Sequence, residues 1–132
     1  MRKILVALLA VVVIAVLAGV AFLAYQAPTV TVEMRLGEGT VNYQGSQVPN
    51  YYFSPASITI KQGTRVTIIN KDPSASHAIT TSYFGTDQPP VDMAVLSPNG
   101  QWSYTFNSVE PGTIFYWDSQ HPWMNGTITV TP

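Results

Sequence analysis

The chain has no cysteine in its 132 residues, and that absence removes a great deal of chemistry. Disulfides, a lipid-modified cysteine, zinc ribbons, thiol catalysis and a thiolate-ligated copper are all excluded. Any metal must therefore be held by nitrogen, oxygen or thioether ligands. Charge is scarce as well, at 10% of residues. From Gln26 onward, Arg35, Lys61, Arg65 and Lys71 face seven acidic residues, a net of −3 with both histidines neutral. No basic patch exists to hold nucleic acid. Histidine occurs only at His77 and His121. With no nucleophile elbow beside them, a Ser, His and Asp triad is excluded.

What is abundant is apolar sequence at the start. Ile4 to Tyr25 is an unbroken apolar run of 22 residues behind Arg2 and Lys3, and about 20 suffice to cross a bilayer as a helix. Residues 1–25 are therefore expected to be a membrane anchor or a signal sequence, with Gly19 and Ala21 offering small residues for cleavage. The length of the run favours the anchor, because signal cores are shorter. In either case Arg2 and Lys3 stay inside, and residues 26–132 form one domain facing the periplasm or cell exterior.

That domain reads as all-β. Val30, Val32, Met34 and Leu36 alternate on one face of a strand spanning Thr29 to Leu36. The passage from Gly37 to Asn50, rich in Gly, Asn and Gln, reads as loop with a short strand at Thr40 to Tyr43. Two β-branched runs follow, Ser57 to Lys61 and Arg65 to Asn70, around a turn at Gln62-Gly63. Gln101 to Phe106 alternates again, with Trp102 and Tyr104 expected in the core. Glu110-Pro111-Gly112 turns the chain, Thr113 to Trp117 is apolar, and Gly126 to Val130 is the last strand. Ten prolines and nine glycines punctuate these strands at short intervals, as in a β-sandwich.

Two places carry chemistry: His77, where a strand meets a loop, and the cluster Asp118-Ser119-Gln120-His121-Pro122-Trp123-Met124. A loop with a carboxylate, an imidazole and a thioether at spacings of three and three can fold them around one point, and His77 can reach it from elsewhere in the sandwich. Asp118 also suits a turn whose backbone N–H groups its side chain would cap, and Met124 suits the core. Two histidines and a carboxylate match, in composition, the ligand sets of non-haem iron and several zinc sites.

Phe53-Ser54-Pro55, Ile58-Thr59-Ile60, Gly63, Val66, Asn70-Lys71-Asp72, His77, Pro111-Gly112-Thr113, Tyr116, His121-Pro122-Trp123-Met124 and Gly126-Thr127-Ile128-Thr129-Val130 together resemble the plastocyanin and amicyanin branch of the cupredoxins. The resemblance covers nearly everything from Phe53 onward. It implies a Greek-key β-sandwich that binds one copper, with His77 and His121 as ligands, Met124 as a weak axial ligand, and Asp118 at the usual cysteine position. It also implies that the Asn70 side chain ties two loops beside the metal. Such a site, lacking thiolate, should be pale and type 2-like, and should favour Cu(II) more than a thiolate site would. Copper leads as the metal, with zinc second.

The implied roles are electron transfer or copper handling, with no catalytic turnover because four protein ligands would close the site. A redox or copper-exchange partner is expected near His121, Pro122 and Trp123, with Pro89 and Pro90 alongside. The competing expectation is a metal-free or zinc-binding subunit of a membrane complex, kept for its surface.

Overall fold

The computed structural model describes residues 27–83, 94–107 and 111–132. Among them run nine strands: β1 (Thr29–Tyr43), β2 (Ser46–Ser54), β3 (Ser57–Lys61), β4 (Arg65–Asn70), β5 (His77–Tyr83), β6 (Ala94–Leu96), β7 (Gln101–Thr105), β8 (Gly112–Trp117) and β9 (Asn125–Thr131). They form a two-layer sandwich, with one sheet in the order β2-β1-β4-β7 and the other in the order β3-β9-β8-β5-β6. The all-β reading holds, and no helix among the described residues is long and apolar enough to cross a membrane. The anchor or signal expected over residues 1–25, like Pro89 and Pro90, lies outside the described residues.

Strand alternation decides what fills the space between the sheets. Val32 and Met34 of β1, Val66 and Ile68 of β4, Ile79 of β5, Ile114 and Tyr116 of β8, and Ile128 and Val130 of β9 are all buried. Three of these inward rows change character at the same end of the sandwich. The β4 row runs Val66, Ile68, Asn70 and then Asp72; the β5 row begins at His77; the β8 row runs Ile114, Tyr116 and then Asp118. All four polar residues are 0% exposed. The strand period that builds the apolar core thus also aims an amide, two carboxylates and an imidazole into its end.

Gly126 lets neighbouring segments of one sheet approach closely at this end. It sits opposite Tyr116 in the β8–β9 ladder, where a Cβ would come within 2.3 Å of the Ala56 carbonyl and 2.6 Å of the Tyr116 ring. Only glycine fits there.

The structure departs from expectation in the first third. Gly37 to Asn50 is not a loop: β1 continues to Tyr43 and pairs antiparallel with β2 as far as Tyr43↔Ser46. Gln44 and Gly45, with φ of 51° and 84°, make the tight turn that a two-residue hairpin needs, and the Asn42 side chain accepts from the Gly45 amide at 3.1 Å. The far half of the hairpin is mostly polar and exposed, and a register shift between Leu36 and Thr40 separates its period from that of Thr29 to Leu36. Leu36, expected on the buried face, lies just before that shift and is 43% exposed.

β3 and β4 also do not pair with each other. The chain crosses between sheets at Gln62–Thr64, with Gly63 at φ 88°, so that β3 lies parallel to β9 and β4 parallel to β1. Trp102 and Tyr104 stack on each other at 6.1 Å and pack partly buried against the core.

Candidate metal centre

The segment between β8 and β9 is closed by its own backbone. The Asp118 amide donates to Met124 O at 3.0 Å, the His121 amide to Asp118 O at 3.2 Å, and the Met124 amide to His121 O at 2.9 Å. These bonds bring residues three apart to one inner side. The two readings of Asp118 prove compatible. Its Oδ1 accepts from the amides of Gln120 at 2.9 Å and His121 at 3.3 Å, which is the turn-capping role, while Oδ2 faces the histidines.

On that oxygen two imidazoles converge. His77 Nδ1 lies 2.7 Å and His121 Nδ1 2.8 Å from Asp118 Oδ2. His77, Asp118 and His121 each offer a ligand atom within 4.8 Å of the others, and they are the metal-capable group of this kind found among the described residues. Met124 is completely buried and its side chain joins the core cluster. His121 keeps 22% of its side chain exposed, the only opening among the three.

A fourth participant, Asp72, went unassigned in the sequence although it lies in the Asn70-Lys71-Asp72 segment. Its Oδ2 is 2.8 Å from His77 Nε2, while its Oδ1 accepts from the Ser74 amide and hydroxyl at 2.9 and 2.7 Å. Asn70 anchors this support. Its amide nitrogen donates to Ala75 O and Leu96 O, both at 2.9 Å, and its Oδ1 accepts from the Asp72 amide. The side chain ties the 72–75 loop to the end of β6, close to the role the resemblance implied. Tyr51 of β2 was also unassigned. Its ring meets those of His77 and His121, each at 4.7 Å between centroids. Trp123 is half-buried, and its Nε1 donates to Pro49 O at 2.9 Å.

The electrostatics follow from these partners. Burial works to raise the Asp118 carboxyl, but hydrogen bonds from His77 and His121 and from the Gln120 amide outweigh it and hold the carboxyl at about 2. Burial likewise opposes the charge of Asp72, and its bonds from Ser74 and His77 lower it below the usual carboxylate value. Burial alone would lower His77; hydrogen bonds to Asp118 and then Asp72 raise it instead. An ionised carboxylate on each ring nitrogen favours the doubly protonated imidazolium form of His77, which is why its value is raised. The Tyr51 phenol is pushed up by burial and by the Asp72 and Asp118 charges.

A pH prediction follows for the metal-free protein. The two carboxylates are lowered, so their contribution is present above the unfolded value near 3.8 and is lost as pH falls toward about 2. His77 is raised, so its contribution is present below 6.5 and is lost as pH rises through its folded value. Urea midpoints should therefore peak between about pH 4 and 6.5 and fall on both sides; a midpoint that climbs steadily through neutrality would contradict this.

The donor set fits a mononuclear metal ion. Two imidazole nitrogens and a carboxylate oxygen converge, and His77 has the carboxylate support behind it that ligating histidines ordinarily have. Tetrahedral bonds of about 2.0–2.1 Å would space ligand atoms a little over 3 Å apart. The present contacts of 2.7 and 2.8 Å are hydrogen-bond lengths, so binding requires a few tenths of an ångström of expansion and release of the Nδ1 protons.

Two sheets in this strand order, with a polar cluster from β5 and the β8–β9 loop at one end, define the cupredoxin fold. The chain has that fold, with a His, Asp and His group and no cysteine. Among solved structures it is similar to a purple cupredoxin from Nitrosopumilus maritimus, at 25% identity and TM-score 0.59 over 80% of this chain and 100% of that one. It is also similar to two variants of amicyanin, each at 20% identity over 82% of this chain and 88% of that one, with TM-scores of 0.57 and 0.56, the first being a reduced Cu(I) form. No family model and no curated protein matches the chain.

Proposed function

We propose that the protein is a membrane-tethered, extracytoplasmic copper-binding cupredoxin. His77, Asp118 and His121 hold one copper ion without a thiolate, and Met124 is its weak axial ligand. The observation that carries this reading is the convergence of both Nδ1 atoms on Asp118 Oδ2. Copper bound there would supply a one-electron Cu(II)/Cu(I) couple. The chain's own residues orient the rings through Asp72 and the loop backbone, exclude water from His77 and Asp118, and leave only the His121 edge toward a partner. The role is binding and transfer, not catalysis. The carboxylate in place of a thiolate tilts the balance toward copper holding and delivery, since it favours Cu(II). Zinc draws no support from the neighbouring folds.

Tethering through residues 1–25 and a location in the periplasm or cell exterior rest on the apolar run behind Arg2 and Lys3. Docking near His121, Pro122 and Trp123 rests on the exposure of Pro122 and the partial exposure of His121 and Trp123. One observation favours a second reading, a domain kept for its surface: among the described residues every buried side-chain nitrogen and oxygen has a partner within the protein, so the fold is complete on its own terms.

Calorimetric titration of the full-length chain in mild detergent separates the two. The copper reading expects one equivalent of Cu(II) to bind with proton release, more tightly as pH rises, and binding to collapse in His77→Ala and His121→Ala. Heat no greater in the wild type than in those variants would leave the surface reading.

A further inference from the structure

Tyr51 comes from a strand that supplies none of the metal-capable groups, yet its ring touches both imidazoles of the site. Its planes stand at 76° to His77 and 62° to His121, so each contact is edge to face, and it lies nearly parallel to Trp123 at 16° and 6.3 Å. The two imidazoles themselves stand 63° apart with centroids 5.2 Å from each other, and His121 meets Trp123 at 5.3 Å and 75°. An imidazole held at one nitrogen can still rotate about that bond; a second contact on its ring removes that freedom. For His77 the second contact includes Asp72; for His121, among the described residues, the ring contacts besides His77 are Tyr51 and Trp123.

The hairpin that carries Tyr51 is itself fastened to the metal loop. Trp123 Nε1 donates to Pro49 O, two residues before Tyr51, and Tyr43 at the hairpin turn packs on the Trp123 ring at 5.3 Å. The β1–β2 hairpin and Trp123 are therefore held together against the His121 ring. We infer that Tyr51 is a positioning residue of the copper site: its ring fixes the angle between the His77 and His121 imidazoles before metal arrives, and walls the bound ion off from small exogenous ligands. The inference rests on the copper reading for its second half only, because the ring geometry exists in the protein itself.

The test uses full-length wild type, Tyr51→Phe and Tyr51→Leu. In the metal-free proteins, NMR of the imidazole protons reads the first half. Wild type and Tyr51→Phe are expected to give one set of signals per histidine, shifted by the neighbouring ring, and Tyr51→Leu to lose that shift and broaden at His121. In the copper-loaded proteins, azide reads the second half. Excess azide should leave the EPR and visible spectra of wild type and Tyr51→Phe unchanged. Tyr51→Leu should gain an azide-to-copper absorption band and lose roughly 10–100-fold in copper affinity.

Rescue by phenylalanine assigns the effect to the ring and not the hydroxyl. Unaltered His121 signals in Tyr51→Leu would overturn the positioning role, and azide insensitivity in copper-loaded Tyr51→Leu would overturn the wall. If wild type itself binds no copper, the copper reading fails, and the metal-free spectra alone decide for or against the positioning role.

Discussion

Replacing Asp118 by cysteine should turn a pale copper protein into an intensely coloured one. Asp118 continues the inward row of Ile114 and Tyr116 and places a side-chain atom 2.7 and 2.8 Å from the two imidazole Nδ1 atoms. A thiolate at that position would complete a trigonal set of two imidazoles and one sulfur, the arrangement that gives blue-copper behaviour. With the carboxylate the account expects weak visible absorption and a wide copper hyperfine splitting. In Asp118→Cys it expects a strong sulfur-to-copper charge-transfer band and a narrowed splitting. Visible absorption and EPR of the two copper-loaded proteins check this. A variant that binds copper yet stays pale would mean that position 118 does not face the metal.

The second large effect concerns the protein without metal. Asp118→Ala should cost about 3–5 kcal/mol of folding stability, the range for removing one partner of a buried ion pair. Asp118 is 0% exposed, and its loss leaves the His77 imidazolium with Asp72 alone, deprives His121 Nδ1 of its acceptor, and uncaps the Gln120 and His121 amides. Urea unfolding near pH 5, where both the carboxylates and His77 are charged, measures it. A loss below about 1 kcal/mol would place the carboxylate among surface pairs in worth and would contradict the network described here.

Much of this centre was legible in the sequence because strand period and chain proximity encode it. Asp118 and His121 stand three apart in a short loop between two apolar strands, and no other histidine besides His77 competes for the role. The strands that became β3, β4, β7, β8 and β9 announce themselves through β-branched alternation. What stayed hidden has physical reasons. The far half of the β1–β2 hairpin is rich in polar residues and only half-buried on its inner face, so its apolar alternation is weak, and Gln44-Gly45 is a less recognisable tight turn than Asn-Gly or Asp-Gly. Tyr51, just past that passage, was assigned to no element, and its contact with both imidazoles depends on how the hairpin pairs.

Asp72 failed for a different reason. An aspartate two residues after a strand ordinarily caps a turn, and Asp72 does so through Oδ1 with Ser74. Only the fold shows that Oδ2 turns back to His77. The same double use occurs at Asp118, where one oxygen serves the turn and the other the site. Sequence reasoning treats those roles as rivals, while a carboxylate has two oxygens and can fill both. The pairing of β3 with β9 rather than with β4 was likewise not encoded locally, since a Gly turn between two β-branched runs serves a crossover between sheets as well as a hairpin.

Pulsed EPR of the full-length protein loaded with one equivalent of Cu(II) tests the central claim most directly, because it counts the nitrogens on the metal. The account predicts a type 2 signal with coupling to two inequivalent imidazoles, one lost in His77→Ala and the other in His121→Ala. A signal from a single imidazole, or one unchanged by either substitution, would contradict it.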